Sequence, residues 1–352
     1  MTEPYLFILN PGSTSTKIAV YQGEQKVTED VVEHQAKAPD LLEELPLREE
    51  DLRHWLREKV PGIRFDAIIS RGGLLKPIPA GVYRINQQML DDLRFRPQAQ
   101  HASNLGAFLA TALAAEGKIP AYIVDPVSVD EFSPLARYSG LPELPRRALS
   151  HALNIRAVAH QVAHKIGKKL EDCRFVVAHL GGGISVVPLE GGRIVDANSS
   201  NTGGPFSPER SGPLPPADLV RMACTGQHSE KEILARMTKQ GGLTAYLGTN
   251  DAREVERRID QGDFQALEVY ESMAYQIAKE IGAMSTVFMG QVDRIILTGG
   301  LAYSHRLISW IEERIRFIAE VVVKPGEGEI EALAAGGLRI LRGEELAKDY
   351  VS

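Results

Sequence analysis

Two short loops in the sequence combine glycine with hydrogen-bond donors, and both lie between apolar segments. The first, residues 12–17, reads GSTSTK, and the second, residues 181–183, consists of consecutive glycines. Glycine lets the backbone approach a ligand without an obstructing Cβ, and consecutive amides in a tight loop form an anion-binding concavity. Hydroxyls add donors and lysine adds positive charge. The candidate phosphate contacts are Gly12, Ser13, Thr14, Ser15 and Lys17 in the first loop and Gly181, Gly182 and Gly183 in the second.

Neither loop has the spacing of a familiar nucleotide-binding motif. A P-loop requires G-x-x-x-x-G-K-[ST] between a strand and a helix, whereas residues 12–17 lack the second glycine and lie between two predicted strands. No G-x-G-x-x-G opens a helix after a strand, so a Rossmann dinucleotide site is not expected. Each loop taken alone could be a polar hairpin turn. Their occurrence at matching places in the chain is what favours a ligand.

The two loops belong to an internal repeat. Residues 7–27 and 175–195 both contain an apolar strand, a loop, a second apolar strand, a turn with glycine and a third strand, and they align without a gap. Residues 66–74 (DAIISRGGL) match residues 293–301 (DRIILTGGL) in the same order. Chance could explain the first match, but the second makes duplication the better account. The sequence therefore predicts two similar domains that hold one ligand between them.

Helical spacing of apolar residues occurs between the predicted strands, which indicates an α/β architecture. Ser103 is the predicted N-cap of the first of these helices. The predicted helices are 103–116, 149–170, 266–289, 305–319 and 329–341.

The domain limits follow from the repeat and from the last helix, which we expect to pack back on the first domain. We predict an N-terminal domain of residues 1–148 plus 333–352 and a C-terminal nucleotide-binding domain of residues 149–332. The proline- and glycine-rich residues 203–216 are typical of a surface loop, although Arg210 lies among them.

The composition is that of a soluble globular enzyme. The chain has 352 residues, a net charge of −6 and two cysteines, Cys173 and Cys224. Two cysteines in this length argue against a disulfide framework and fit a reducing cytosol. No basic patch attracts nucleic acid, no signal peptide is evident, and no apolar stretch approaches the roughly 20 residues of a membrane span. We therefore expect a cytoplasmic protein without a nucleic-acid or membrane partner.

Several motifs, taken together, resemble one enzyme family over essentially the whole chain. NPGSTSTK, HLGGGIS and LTGGLAYS are similar to the two phosphate loops and the adenosine segment of the acetate and sugar kinase/Hsp70/actin superfamily. Closer resemblance to the butyrate kinase branch of the acetate kinase family comes from SRGG, HASNLGA, VDPVSVDEFSP, RRALSHALNIRAVA, DANSSNTGGPFSPERSGPLP and GEGEIEALAAGG. One departure supports that branch: acetate kinases usually have H-L-G-N-G at the second loop, whereas this chain has Gly182 in place of the asparagine.

The resemblance implies a fold and an activity. The implied fold is two duplicated ribonuclease H-like (actin-like ATPase) domains with a cleft between them. The implied reaction is the reversible, ATP-dependent phosphorylation of butyrate, or of a related acid such as isobutyrate, propionate or acetate, to an acyl phosphate and ADP. ATP/ADP and Mg²⁺ are the implied cofactors, a short-chain carboxylate is the substrate, and a homodimer or higher homo-oligomer is the implied assembly.

Two arginines suit this chemistry. A carboxylate nucleophile is already deprotonated near pH 7, so it needs positioning and charge neutralisation but no general base. The planar guanidinium forms bidentate hydrogen bonds with carboxylate and phosphate oxygens. Arg71 follows a predicted strand and Arg210 lies in the proline- and glycine-rich segment. By resemblance, both hold the substrate carboxylate and the transferring phosphoryl group, although an arginine beside glycines is often only a surface charge.

The same resemblance implies roles for three histidines. His151 is expected to hydrogen-bond the phosphoryl group in flight, His179 to line the phosphate channel and His101 to shape the substrate site. A satisfied core histidine is the competing interpretation of each.

The remaining predicted site residues are two acids, an amide and two glycines. Asp125 and Glu331 could hold Mg²⁺, which prefers oxygen ligands and keeps several waters, and Asp125 could instead orient an arginine. Asn10 is a predicted contact on the phosphate and metal side. Gly299 and Gly300 would let the backbone approach adenosine. The alternatives are turn residues, a charge at a helix N-terminus and a simple strand-end turn.

Two other functions remain open at this level. A sugar kinase of the same superfamily would use Asp125 as base and leave the arginines unexplained. A non-catalytic nucleotide switch would bind ATP and transfer nothing.

Overall fold

The computed structural model describes residues 3–35, 41–201 and 203–351. The chain separates into two compact units, Met1–Asp130 with Gly328–Ser352 (unit 1) and Glu131–Glu327 (unit 2). The domain limits after residues 148 and 332 stay predictions.

Strands and helices are numbered along the chain. Within the described ranges the strands are β1 (Tyr5–Pro11), β2 (Ser15–Gln22), β3 (Gln25–Glu33), β4 (Ala67–Arg71), β5 (Val82–Arg84), β6 (Ala121–Val124), β7 (Arg174–Leu180), β8 (Ile184–Glu190), β9 (Arg193–Ile194), β10 (Arg294–Gly299), β11 (Val321–Pro325) and β12 (Lys348–Asp349). The α-helices of the same ranges are α1 (Leu45–Lys59), α2 (Gln87–Phe95), α3 (Leu105–Gly117), α4 (Ala152–Lys165), α5 (Pro216–Cys224), α6 (Glu230–Thr238), α7 (Gly242–Leu247), α8 (Ala252–Asp260), α9 (Phe264–Ser285), α10 (His305–Ile315) and α11 (Glu329–Leu341).

The sheets of the two units share five strands in the same order. Unit 1 has the order β12-β5-β6-β4-β1-β2-β3, and unit 2 has β11-β10-β7-β8-β9. In each, a three-stranded antiparallel meander is followed by two parallel strands beside its first strand. Unit 1 adds β5 and β12 at the far edge. This repetition confirms the predicted duplication and the α/β fold class.

The register of the sheets corrects the alignment of the repeat by one residue. Ile8 pairs with Ile69 in unit 1, and Val177 pairs with Ile296 in unit 2. Because Ile69 and Ile296 occupy the same place in DAIIS and DRIIL, Ile8 corresponds to Val177 and not to Val176. The loop between the last paired residues has four residues in unit 1 and three in unit 2. The prediction of a gap-free alignment was therefore wrong at the loop.

Asn10 and His179 become equivalent positions in the corrected alignment. Their cross-strand partners, Lys17 and Ser185, are equivalent as well. The duplication thus places different chemistry at the same structural position, which sequence alignment alone had hidden.

Unit 1 packs helices on both faces of its sheet. One face, with Phe7 and Ile68, forms a core with α1 and α3. Helix α11 contacts β1, β4 and β6. A Cβ at Gly337 would come within 2.7 Å of the Ile69 side chain, so this glycine lets α11 approach the sheet closely. The last helix therefore packs on the sheet of unit 1.

Unit 2 buries its sheet against α9 and α10. Its core includes Val176 and Leu297 from the strands and Tyr270, Ile277 and Ile311 from the helices. Apolar residues recur at helical spacing along α9, which explains its long buried face.

Predicted helix positions are correct, whereas several ends differ. The helix predicted for 329–341 coincides with α11. Ser103 is not the N-cap of α3: it lies in a short 3₁₀ turn before that helix, and its N–H donates to His101 Nδ1 at 3.2 Å. None of the helices in the described parts of the chain is long and apolar enough to cross a membrane.

Candidate active site

The first loop closes the β1–β2 hairpin. The Gly12 N–H donates to the Ser15 carbonyl at 2.7 Å, and the side chains of Ser13 and Thr14 are exposed. Thr16 differs from these residues, because its hydroxyl lies in the interior, 2.8 Å from His34 Nε2. The exposed part of the loop is therefore limited to its tip.

Beside this loop, a carboxylate joins two of the predicted site residues. Arg71 ends β4, and its Nη1 lies 2.8 Å from Glu329 Oε1. Asn10 Nδ2 donates to Glu329 Oε2 at 2.7 Å. Lys17 pairs with Asn10 across the hairpin, so both side chains lie on one face of the sheet. The structure thus brings Arg71 and Asn10 together through Glu329.

Glu329 is a residue that the sequence interpretation missed in favour of Glu331. The two acids are two positions apart in GEGEIE, and residues at that spacing point to different sides of a helix. Glu331 lies 2.8 Å from Lys26 Nζ. Burial is the largest influence and would raise the pKa of the Glu331 carboxyl, but the Lys26 hydrogen bond, a backbone hydrogen bond and the charges of Lys26 and Lys17 together lower it. The metal role of Glu331 stays a prediction.

Asp125 directly follows β6, the strand that pairs with β4. Its backbone is left-handed, with φ of 37°, which is uncommon for a residue other than glycine. The buried carboxylate accepts the Gly81 N–H at 2.7 Å. Strained backbone of this kind clusters at functional sites. It is compatible with both predicted roles of Asp125, which are to hold Mg²⁺ or to orient an arginine.

The charges of Arg71 and Glu329 act on the His101 ring. Partial burial of the ring and the neighbouring Arg71 guanidinium lower the pKa of His101, and Glu329 opposes them. His101 Nδ1 is 2.8 Å from Ser103 Oγ.

The glycine loop of unit 2 is held by residues of the proline- and glycine-rich segment. Ser207 Oγ donates to the Gly182 carbonyl, and the Gly181 N–H donates to the Gly183 carbonyl at 3.2 Å. A Cβ at Gly183 would overlap the Arg210 guanidinium. At Gly182 it would reach Glu209 at 3.5 Å, an ordinary contact. A side chain at position 183 would therefore displace the Arg210 guanidinium, whereas position 182 has room for one.

Part of the segment that carries Arg210 is buried, contrary to the surface loop that its composition predicts, whereas residues 213–216 are exposed. Phe206 and Ser207 are buried, and the Leu243 N–H donates to the Ser207 carbonyl at 3.2 Å. Arg210 Nη1 donates to the Ser200 carbonyl. Burial lowers the pKa of Arg210, although arginine remains charged in proteins. The buried turn thus holds a cation against the glycine loop.

His151 and His179 lie together in unit 2. Their rings stack with centroids 4.0 Å apart and planes inclined by 14°. His151 precedes α4, and its Nδ1 lies 2.8 Å from Ser185 Oγ. The buried His179 places Nδ1 2.7 Å from Asn154 Oδ1. Because the Asn154 amide nitrogen donates to the Glu327 carbonyl, its oxygen must be the acceptor, so His179 carries a proton on Nδ1.

A cavity of about 670 Å³ adjoins the glycine loop. Two of its lining residues, Gly181 and Gly182, belong to that loop, and Gly300 follows β10. Gly299 has φ of 89°, and a Cβ there would overlap the Leu180 carbonyl, so glycine lets β10 end close to β7. The sequence interpretation missed these further lining residues: Pro208, Glu209, Asn250, Asp251, Ala252, Arg253, Glu256, Leu301, Tyr303, Ser304 and Glu327.

Solved structures with the same fold include two carboxylate kinases. The chain superimposes on the acetate kinase of Porphyromonas gingivalis with a TM-score of 0.78 at 18% identity, covering 96% of this chain and 100% of that one. A propionate kinase from Francisella tularensis subsp. tularensis gives a TM-score of 0.75 at 18% identity, over 94% of this chain and 98% of that one. These likenesses confirm the predicted duplicated, actin-like ATPase fold.

Proteins found by sequence comparison have a higher identity to this chain than these solved structures do. Over 350 residues the chain is 49% identical to the probable butyrate kinase 2 of Caldanaerobacter subterraneus subsp. tengcongensis, covering 98% of this chain and 99% of that one. It is 46% identical to butyrate kinase 2 and to butyrate kinase 1 of Clostridium acetobutylicum, each over 98% of this chain and 99% of the relative. A model of the Acetokinase family matches residues 144–311. The chain belongs to the acetokinase family, which confirms the resemblance inferred from its motifs.

Proposed function

We propose that this protein is a butyrate kinase, a phosphotransferase with a carboxyl group as acceptor. A carboxylate oxygen of butyrate attacks the γ-phosphorus of ATP in line, and the bond to the β–γ bridging oxygen breaks. Butyryl phosphate and ADP are formed, no proton is exchanged, and the reaction is reversible. The choice of butyrate rests on 46% identity to two butyrate kinases over nearly the full length of both chains.

The single structural observation that carries this chemistry is the contact between Arg71 and a carboxylate. The guanidinium is about a quarter exposed and lies 2.8 Å from Glu329 Oε1. Guanidinium–carboxylate contacts of this kind are strong and directional. We infer that Arg71 binds the carboxylate of the acid in the same way.

In unit 2, Arg210 is the proposed stabiliser of charge on the transferring phosphoryl group. Its half-buried position beside the glycine loop supports this role, because a lower local dielectric constant strengthens electrostatic interactions. His151 would donate a hydrogen bond to the phosphoryl oxygens, and His179 would line the phosphate channel. The Ser185 and Asn154 contacts orient the two rings.

ATP is proposed to place its adenosine in the 670 Å³ cavity and its phosphates towards Gly181 and Gly182. The volume lies within the roughly 300–1,000 Å³ typical of small-molecule sites. In unit 1, the proposed phosphate contacts are the exposed tip of the first loop and Lys17.

Mg²⁺ is the proposed metal, and it would supply charge neutralisation on the phosphates. No cluster of three or more acidic, histidine or cysteine side chains suited to a metal occurs among the described residues. Mg²⁺ does not need one, since it is commonly held by one or two carboxylates and several waters. Glu329, with Asn10 beside it, fits that requirement, and Asp125 and Glu331 remain proposed ligands through water.

The proposed setting is the cytoplasm, and the proposed assembly is a homodimer or higher homo-oligomer. The two free cysteines, one buried and one exposed, are compatible with a reducing compartment.

The decisive experiment supplies purified protein with MgATP and a panel of two- to six-carbon acids and traps acyl phosphate as the hydroxamate. We expect the highest kcat/KM with butyrate. Propionate and acetate should give smaller values, since each methylene contributes about 0.8 kcal/mol of burial free energy. Isobutyrate, which has the same number of carbons, should also give a smaller value because its branched chain has a different shape. Product from no acid would refute the proposal. Product from acetate alone would refute the assignment of butyrate.

A further inference from the structure

A fully buried ion pair lies under the first loop in unit 1. Arg48 in α1 has no exposed surface, and its Nε and Nη2 lie 2.9 and 2.7 Å from Glu44 Oε2. Burying an ion pair carries a desolvation penalty that often exceeds the attraction between its charges. A role beyond stability would account for placing such a pair here.

Arg48 also binds two successive carbonyl groups of the loop. Its Nη1 donates to the Gly12 carbonyl at 2.9 Å, and its Nη2 donates to the Ser13 carbonyl at 2.7 Å. The next carbonyl, that of Thr14, accepts the His34 N–H at 2.9 Å. Three consecutive carbonyls are therefore occupied by donors from the body of unit 1.

This arrangement decides the direction of the intervening N–H groups. A trans peptide is planar, and its N–H points opposite to its C=O. When the Gly12 and Ser13 carbonyls are turned towards Arg48, the N–H groups of Ser13 and Thr14 must point away from it. Neither N–H is a donor in any hydrogen bond of the described residues, and both residues are exposed.

We propose that Arg48 is a positioning residue that holds the Ser13 and Thr14 N–H groups in the orientation that binds the phosphate of the nucleotide. This rests on the proposed function. Adjacent backbone amides aimed in one direction form an anion-binding concavity. Glu44 balances the charge of Arg48, so the contribution of the pair is geometric and not a net positive charge.

The test separates geometry from stability. In Glu44→Leu/Arg48→Met both charges are replaced by apolar groups, an exchange that is often neutral or stabilising. The loop carbonyls then lose their donors. We expect an unfolding temperature near that of the wild type, a kcat lowered about 10²-fold, as for loss of a preorganised donor, and a KM for butyrate that changes little.

Two further variants complete the design. Arg48→Lys keeps the charge pair but cannot bind both carbonyls with a planar fork, and we expect a folded protein with a smaller loss of kcat. The matched control is Glu49→Leu/Arg53→Met, which removes a second Arg–Glu pair of the same spacing in α1, 2.8 Å apart. We expect it to retain the wild-type kcat.

A folded double variant with wild-type kcat would overturn the proposal. If the double variant does not fold, Arg48→Lys decides: a lowered kcat supports the proposal and a wild-type kcat overturns it.

A second readout is independent of the acid substrate. Addition of the ATP analogue AMP-PNP with Mg²⁺ should shift the amide NMR signals of Ser13 and Thr14 in the wild type and shift them less in Arg48→Lys. Equal shifts in both proteins would overturn the proposal. A wild type that forms no acyl phosphate refutes the proposed function, whereas this readout still tests Arg48.

Discussion

The two loops at equivalent places in the duplicated units are held in different ways. In unit 1, the Gly12 N–H donates to the Ser15 carbonyl at 2.7 Å, and a buried arginine binds the Gly12 and Ser13 carbonyls. In unit 2, the Gly181 N–H donates to the Gly183 carbonyl at 3.2 Å, and the Ser207 hydroxyl binds the Gly182 carbonyl. Both loops therefore close by a similar backbone contact but are supported by different side chains.

The position of the arginine differs in a way that relates to loop composition. Arg48 lies under a loop of side-chain-bearing residues and is fully buried. Arg210 packs on Gly183, where only glycine leaves space for the guanidinium. We infer that Arg48 orients backbone and that Arg210 is available to a ligand. Duplication preserved the hairpin while the two loops acquired different supports.

The largest expected loss of activity follows removal of Arg71 or Arg210, the two arginines proposed to contact the reacting groups. Arg71→Ala and Arg210→Ala should each lower kcat/KM for acyl phosphate formation by roughly 10³-fold or more, since arginines that stabilise phosphoryl transfer are worth about that much. Arg221→Ala is the control, because Arg221 is exposed and pairs with Asp218 in α5. Activity within a few-fold of wild type in either test variant would contradict its role.

The next largest loss of kcat is expected at Gly183, and the neighbouring Gly182 serves as the comparison. Gly183→Ala should displace the Arg210 guanidinium, and a displacement of about 1 Å can lower kcat about 10²-fold. Gly182→Ala should cost much less, since its Cβ meets Glu209 at 3.5 Å. Steady-state kinetics of both variants are the measurement. Equal losses of kcat would show that displacement of the Arg210 guanidinium does not explain the loss at Gly183.

A metal prediction concerns the two acids of α11. Glu329→Gln should raise the Mg²⁺ concentration needed for half-maximal activity, because it removes the carboxylate beside Arg71 and Asn10. Glu331→Gln should raise it less, since that carboxylate pairs with Lys26. Magnesium titrations after EDTA treatment measure both. The reverse order would favour Glu331, the acid that the sequence indicated.

A smaller effect tests the support of the glycine loop. Ser207→Ala removes one hydrogen bond to the Gly182 carbonyl, and a net loss of about 1 kcal/mol would lower kcat roughly fivefold. Ser285→Ala is a matched control, because this buried serine donates to the Ile281 carbonyl at 2.7 Å within a helix of unit 2. Similar losses of kcat in both variants would mean that only general stability had been affected.

The smallest effect is a pH dependence at His101. Its pKa in the folded protein lies below the ordinary value near 6.5, so the fold favours the neutral ring. That contribution to stability is present above about pH 6.5 and is lost as the pH falls through the lower, folded pKa. Thermal unfolding from about pH 7.5 to 5.5 should therefore show a smaller decrease for His101→Asn than for wild type. Parallel curves would contradict this.

Much of the fold was predictable because its signals are local. The glycine loops, the succession of strands along each half and the helix at Glu329–Leu341 all follow from short-range patterns of apolar and turn residues. The N-cap at Ser103 was predicted wrongly, since the chain first forms a 3₁₀ turn in which the His101 ring nitrogen accepts the Ser103 N–H. Residues 203–216 were misjudged because composition does not show that Phe206 and Ser207 are buried.

The candidate site was predictable only in part, for a related reason. Arg71 and Arg210 could be selected by their charge and their glycine neighbours. Glu329 could not be separated from Glu331, because the choice depends on which side of α11 faces β4.

By itself, the amino-acid sequence determined that two glycine-containing hairpin loops occur at matching places, and that arginines, histidines and acids accompany them. Tertiary structure alone decided the one-residue offset that makes Asn10 equivalent to His179, and the seating of Arg48 under the first loop. The physical reason is that strand register and buried ion pairs depend on contacts between residues far apart in the chain. Local patterns carry no information about which distant partner a side chain will meet.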